Sequence, residues 1–287
     1  MTPPTPPSSD EQLGKDWWRT SLIEMSPGVI RYRGYAVEDL ISQRVSFASM
    51  VWLMTRGELP STAQAQLLDM ALMSAVDHGP QAPSVAIARM AATCGVGLNS
   101  AIASGVNVLG DVHGGAGEQA LEFFGRVLQK WQEGAPLSDA AREGLEAHMR
   151  DDGGPVPGFG HRFHPTDPRS EPMLKRIDAA AGRGEVSGQY AAIARAVEQA
   201  LQQLKGRRIP LNIDGATAVV YGELGFAPAL ARGLFCLSRS VGLLGHAWEQ
   251  SQQDERIKGP LPRAWTPTYE GPPHRPVPPQ EPKETSE

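Results

Sequence analysis

Between about Trp17 and Pro260 the apolar residues recur at steps of three and four, the repeat of a helix that turns one face to a core. Ile193, Ala196, Val197, Ala200, Leu201 and Leu204 form one such face. Leu230, Leu234, Leu237, Val241, Leu244 and Trp248 line a longer one. Leu68, Ala71, Leu72 and Ala75 mark a third, which Pro60-Ser61-Thr62 is placed to open and cap. Alternation at steps of two is confined to Val29-Ile30-Arg31-Tyr32, a short candidate hairpin strand. The pattern predicts an almost all-α fold. Gly233, Gly242 and Gly245 fall inside the long helix, where each costs about 1 kcal/mol against alanine, so a backbone or a ligand is expected to approach closely there.

Proline bounds the helical span: of 25 prolines, four lie in residues 1–7 and nine between Pro260 and Pro282. Segment 266–287 has little to bury beyond Tyr269 and Val277, so it is expected to be extended or disordered, with its first part draped over the core. With 32 acidic against 27 basic residues, the net charge of −5 excludes the global basic field that non-specific nucleic-acid binding requires. Cys94 and Cys236 sit in apolar helical patterns without disulfide or zinc spacing, which reads as small core residues in a reduced compartment. The first residues lack a basic and apolar leader, and no stretch approaches the roughly 18 apolar residues of a membrane span, so a cytoplasmic protein is expected.

Three glycine-rich breaks each carry ionisable groups: Gly110-Asp111-Val112-His113-Gly114-Gly115, Pro157-Gly158-Phe159-Gly160-His161-Arg162 and Asn212-Ile213-Asp214-Gly215. Loops held by a rigid scaffold concentrate catalytic groups, and glycine lets backbone amides approach a ligand. Two histidines and a carboxylate suffice for an acid, a base and an enolate stabiliser, although on pattern alone a lone histidine in a glycine turn is more often a satisfied structural residue. Arg169, Arg239 and Arg256 form a cationic set. Arg239 lies on an otherwise apolar or small helix face, where a guanidinium needs an anion or several acceptors. His161 and His164 have metal-ligand separation but lack a third ligand in register, so no metal is expected. Gly114-Gly115-Ala116-Gly117 lacks the lysine of a phosphate loop and the strand of a dinucleotide fingerprint, and His148 and His274 read as solvated.

The ordered set of motifs resembles the citrate synthase superfamily, and in detail citryl-CoA lyase and the citrate-synthase-like C-terminal module of ATP citrate lyase. The resemblance runs through Tyr32-Arg33-Gly34-Tyr35, Val76-Asp77-His78-Gly79-Pro80, the three glycine-rich breaks, Asp167-Pro168-Arg169 and Ser238-Arg239-Ser240-Val241-Gly242, ending near Glu249-Gln250. It implies a citrate synthase-like fold with a large and a small helical domain in a homodimer. The implied boundaries are a tail over 1–16, a catalytic region over 17–262 (large domain 17–155 and 213–262, small domain 156–212) and a tail over 263–287.

Carried over residue by residue, the resemblance implies that His113 stabilises the enolate of acetyl-CoA. His161 exchanges a proton with the oxygen at the condensing carbonyl, and Asp214 handles the methyl proton. His78, Arg169 and Arg239 hold the carboxylates of oxaloacetate or the citryl group, and Arg256 matches an arginine donated across a dimer interface. Gly158, Phe159, Gly160 and Arg162 match the part of the coenzyme A site that contacts adenine. No tightly bound cofactor is implied; the coenzyme A thioester is itself the substrate.

Asn212-Ile213-Asp214-Gly215-Ala216-Thr217 has the form of the lyase branch, whereas synthases typically follow Asn-x-Asp with an aromatic or small residue and a Ser-Gly pair. The resemblance therefore favours cleavage of (3S)-citryl-CoA, or a close 3-hydroxy-3-carboxyacyl-CoA, to acetyl-CoA and oxaloacetate. Animal ATP citrate lyase modules differ at the turn where this chain keeps His113, so a synthase-like triad is retained. Synthase-type condensation with thioester hydrolysis stays open, as does a non-catalytic protein that binds CoA esters or a partner subunit. A separate ligase or CoA transferase is expected to supply the thioester.

Overall fold

The structure, a computed structural model, describes residues 17–151, 153–162, 164–262 and 264–278. It opens with an antiparallel sheet of β1 (Ile23–Ser26), β2 (Val29–Tyr32) and β3 (Tyr35–Ala36), joined in that order. The candidate strand at 29–32 is thus the middle of three. Ser26 pairs with Val29 across Pro27-Gly28, and Tyr32 pairs with Tyr35 across Arg33-Gly34. Both residues of the second turn have positive φ, 50° and 89°, the conformation whose twist matches the flanking strands.

The remaining elements are helical: α1 (Val37–Ser42), α2 (Phe47–Arg56), α3 (Thr62–Ser74), α4 (Pro83–Thr93), α5 (Leu98–Val106), α6 (Ala116–Gln132), α7 (Leu137–Asp151), α8 (Ser170–Gly182), α9 (Gln189–Lys205), α10 (Ile213–Glu223) and α11 (Pro228–Ser251). The cap read at Pro60-Ser61-Thr62 is a full capping box: the Ser61 hydroxyl accepts from the Gln64 amide, and the Gln64 side chain accepts from the Ser61 amide. At the start of α9, the distant carboxylate of Glu223 takes the orphan amides of Gly188, Tyr190 and Ala191.

Helix α10 organises the main core. It is buried on every face from Gly215 to Gly222, enclosed by α3, α6, α8 and α9, as its apolar composition all round requires. Gly222 exists for packing: a Cβ there would lie within 3 Å of the Tyr190 ring. A smaller core joins Ala82, Val85 and Ala88 of the α4 region to Leu243 of α11, with Ile102 and Val106 of α5 against it.

Several expectations fail at this level. Of the long stripe on α11, Leu234 is buried and Leu230 half-buried, but Leu237, Val241, Leu244 and Trp248 are exposed. The buried face carries Ala231, Leu234, Ser238, Arg239, Leu243, Ala247 and Gln250, because α11 passes over α3, α4, α5 and α6 with its small and polar side inward. A close backbone approach occurs at Gly242, where a Cβ would fall within 3 Å of the Val76 carbonyl oxygen; Gly233 and Gly245 face open space. Cys94 is exposed and Cys236 half-buried, so neither is a core residue. His148 is buried, against Phe123 and with Nε2 3.3 Å from the Pro155 carbonyl oxygen, while His274 is exposed.

Residues 264–278 form neither helix nor strand and are exposed along their length, so they are not draped over the core. The expectations for residues 1–16 and 279–287 lie outside the described residues. Among the described residues, no helix is long and apolar enough to cross a membrane.

Candidate functional site

The site forms where the ends of several helices meet, beginning at the C-terminus of α3. The last carbonyls of a helix have no partners within it and carry the negative end of its dipole. Three side chains from other elements take them. Arg169 Nη1 donates to the Ser74 oxygen at 3.2 Å, Arg239 Nε to the Ala75 oxygen at 3.4 Å, and the Ser238 hydroxyl to the Leu72 oxygen. Arg239 is only 5% exposed, with its guanidinium 5.1 Å from the centre of the Phe235 ring, so the acceptors expected for it are a helix end and an aromatic face. His78 lies just beyond the same helix end, with its ring 5.6 Å from that of His161.

The His161 loop is zipped to the chain that enters α10. Phe159 bridges Leu211; the Gly160 amide donates to Pro210, and the Asn212 amide to Gly158. The Asn212 side chain does two jobs, donating to the Gly160 carbonyl at 2.7 Å and capping α10 by accepting from the Gly215 amide at 3.1 Å. Gly158 and Gly160 hold φ of 85° and 78°, which side chains rarely adopt. The backbone groups read as an adenine contact are therefore engaged with residues 210–212. The Phe159 ring is buried against Phe124, whereas Arg162 is exposed.

Asp214 stands in the first turn of α10, the most enclosed helix. Burial raises its carboxyl above the ordinary 3.8, against the opposing pull of Arg169, Arg239 and His161. Sequence reasoning missed Asp167, only 1% exposed, which grips Arg169 and the first amide of α10. Its signal was the sequence Asp167-Pro168-Arg169 itself.

His113 sits in the turn between α5 and α6, closed by the Gly110 amide donating to the His113 carbonyl. Arg232 of α11 braces the turn by pairing with Asp111 at 2.6 Å and with Glu118. The Ser84 amide, in the first turn of α4, donates to His113 Nε2 at 3.2 Å, and the Ser84 hydroxyl lies 3.0 Å from the same nitrogen. A ring nitrogen that accepts a backbone N–H carries no proton, so the neutral ring keeps its proton on Nδ1, which is then a donor. Likewise the His164 amide donates to His161 Nδ1 at 3.1 Å, which puts the proton of the neutral His161 ring on Nε2.

The three histidines share one electrostatic bias. Burial, followed by Arg169, Arg239 and His161, lowers His78; burial and Arg239 lower His113; burial lowers His161, against the opposite pull of Asp167. Each therefore falls below the ordinary 6.5 and is neutral at pH 7. The unfolded chain then binds more protons than the folded one near and below pH 6.5, so the sign of linkage makes stability fall as pH drops through that region. We expect kcat/KM to fall on acidification below about pH 6.5, by up to about tenfold per pH unit for each neutral imidazole that is required. A pH–rate profile, with melting temperatures measured alongside, checks both.

Arg256 does not join this constellation. It is exposed on the loop after α11, a loop pinned to the far end of α4 by Ile257 N donating to the Thr93 carbonyl and Lys258 N to the Thr93 hydroxyl. Ser84, beside His113, is at the other end of α4, roughly 14 Å away at 1.5 Å per residue. Among the described residues, no group of three or more metal-ligating side chains occurs.

Comparison with known proteins gives this constellation its context. The citrate synthase of Saccharolobus solfataricus is 28% identical over 222 residues, which are 75% of this chain and 55% of that protein. The chain spans about half the length of the curated citrate synthases it matches. Citryl-CoA lyase from Hydrogenobacter thermophilus superposes with a TM-score of 0.78 at 32% identity, over 91% of this chain and 97% of that one. ATP citrate lyase from Methanothrix soehngenii, solved with citrate and coenzyme A, shares the fold with a TM-score of 0.73 at 22% identity, over 93% of this chain and 45% of that one. The family described as "Citrate synthase, C-terminal domain" matches residues 11–67 and 62–261, nearly the whole helical span, and the chain belongs to the citrate synthase family.

Proposed function

We propose that the protein is a citryl-CoA lyase, cleaving (3S)-citryl-CoA or a close 3-hydroxy-3-carboxyacyl-CoA to acetyl-CoA and oxaloacetate. The observation that carries this reading is the similarity to the citryl-CoA lyase of Hydrogenobacter thermophilus along almost the full length of both chains. In this mechanism Arg169, Arg239 and His78 hold the substrate carboxylates; fixed guanidiniums supply both charge and orientation. The bond between the carbinol carbon and the methylene next to the thioester breaks. Its electron pair moves toward the thioester oxygen, where the neutral His113 ring donates from Nδ1. His161 takes the hydroxyl proton on Nε2, which requires its bond from the His164 amide to be exchanged first, since that bond leaves Nδ1 unprotonated. Asp214, in its protonated form, delivers a proton to the enolate carbon, a role suited to a carboxyl raised by burial.

The same groups run condensation, and the second reading, a citrate synthase that goes on to hydrolyse the thioester, is favoured by the names of curated relatives at 28% identity. The reading includes the division into a large domain (17–155 and 213–262) and a small domain (156–212), and a homodimer. The exposed stripe of Leu237, Val241, Leu244 and Trp248 supports self-association, as does the placement of Arg256 away from its own site. A separate ligase or CoA transferase supplies the thioester.

Incubation with citryl-CoA, with oxaloacetate followed through malate dehydrogenase and NADH and free thiol measured in parallel, tests the assignment. Oxaloacetate with acetyl-CoA and little free thiol is the expected result. Citrate with free coenzyme A and no oxaloacetate overturns it in favour of the synthase, and no reaction at all returns the chain to a CoA-ester-binding role.

A further inference from the structure

Asp167 is a buried carboxylate with no part in the chemistry proposed above. Its side chain is fully buried, and its two oxygens accept four hydrogen bonds from two residues of the site, Arg169 and Ile213. Oδ1 accepts from Arg169 Nε at 2.9 Å and from the Arg169 amide at 3.1 Å; Oδ2 accepts from Arg169 Nη2 at 2.9 Å and from the Ile213 amide at 3.1 Å. Pro168, between Asp167 and Arg169, has a fixed φ and no amide hydrogen, so the turn that brings the carboxylate back onto its own neighbour is stiff. Ile213 is the first residue of α10 and immediately precedes Asp214.

A guanidinium has five N–H groups in a planar fork. The Nε and Nη2 edge of Arg169 is occupied by Asp167, and Nη1 donates to Ser74 at the end of α3. Two N–H groups remain, on Nη1 and Nη2, in a plane fixed by the twin bond to Asp167. Without that carboxylate, the bond to the Ser74 carbonyl is what remains of the Arg169 side chain's hydrogen bonds among the described residues. Burial by itself would raise the Asp167 carboxyl, but its hydrogen bonds from Arg169 outweigh this and hold it below its ordinary 3.8, so it is charged throughout the neutral range.

We propose that Asp167 is a positioning residue: it aims the remaining edge of Arg169 at a substrate carboxylate and ties that edge to the start of the helix carrying Asp214. The carboxylate-bearing half of the substrate is thereby registered against the residue that handles the carbon proton. This rests on the reading of Arg169 as a carboxylate-binding group.

The test measures dissociation constants for oxaloacetate and for acetyl-CoA separately, by calorimetry on the full chain, for wild type, Asp167→Asn, Arg169→Lys and the double variant. Asparagine keeps the shape of the side chain but loses its charge and one of its two acceptor oxygens. The expected result is an oxaloacetate Kd at least tenfold weaker in Asp167→Asn, with the acetyl-CoA Kd within twofold of wild type. Arg169→Lys should add less than threefold on the Asp167→Asn background, because the aim is already lost. A purely structural role would weaken both ligands together, or give independent effects that multiply in the double variant, and either result overturns the proposal. If Asp167→Asn does not fold by circular dichroism, Asp167→Glu, which keeps the charge but displaces the oxygens, is read by the same criteria. Wild type that binds no oxaloacetate would defeat the functional reading as well, whereas wild type that binds it and a variant that is unchanged defeat the positioning role alone.

Discussion

Asp214→Asn is expected to remove turnover and, at the same time, to raise the melting temperature. The carboxyl is the group assigned to carry the carbon proton, and general acid–base groups contribute about 10²–10⁴-fold, so kcat should fall by that order while binding of CoA esters is spared. The gain in stability has a separate origin. Burial raises the folded-state pKa of Asp214 above 3.8, so the folded protein binds a proton that the unfolded chain releases. The corresponding stability is complete below the unfolded value and is lost as pH rises through the folded one. At neutral pH the wild type therefore carries a penalty that asparagine does not. A gain of about 1 kcal/mol would move the melting temperature by about 2–4 °C. The difference between variant and wild type should widen from acid to neutral pH. Melting curves across pH, paired with single-turnover kinetics, check both halves; unchanged turnover would remove Asp214 from the mechanism.

Gly215→Ala is expected to have the second large effect, through geometry alone. A Cβ at residue 215 would lie within 3 Å of Leu211 Cδ1 and of the Gly158 carbonyl oxygen. That carbonyl accepts from the Asn212 amide, and a Cβ on Gly158 would in turn meet the Gly215 backbone, so neither side yields cheaply. The added methyl must push the His161 loop away from the start of α10. Overpacking of this kind costs about 1–3 kcal/mol, and a displacement of about 1 Å between reacting groups costs roughly 10²-fold in rate. Gly125→Ala is the control: it lies inside α6 with nothing within 4 Å of a Cβ, so about 0.5–1 kcal/mol of stabilisation with unchanged kinetics is expected. Wild-type kinetics in Gly215→Ala would show that the two glycines are not in the contact that joins the loop to the helix.

The pair Gly158 and Gly215 also shows how a motif can be visible in sequence while its reason is not. Both glycines stood in the breaks singled out from the chain, and freedom to take unusual φ explains Gly158. Gly215 is helical; it is needed because another backbone passes over it, 57 positions away, which no local pattern records. Gly242 follows the same logic against Val76, whereas Gly233 and Gly245, inside the same helix, face open space.

Features that depend on neighbours within a turn or two were legible in the chain alone: the helical segments around 68–75, 193–204 and 230–248, the cap at Ser61 and the hairpin strand at Val29–Tyr32. The ordered glycine-rich motifs pointed to the citrate synthase family for a related reason, since each carries its turn chemistry in a few consecutive residues. The tertiary structure decided the rest. It chose the polar, small face of α11 as the inner one, because that face supplies Arg239 to the end of α3 and Gly242 to the Val76 backbone. It set the proton positions on His113 and His161, because those depend on amides of Ser84 and His164 presented by the folded chain. It also placed Asp167 between Arg169 and α10, where one buried carboxylate answers two elements brought together only by folding.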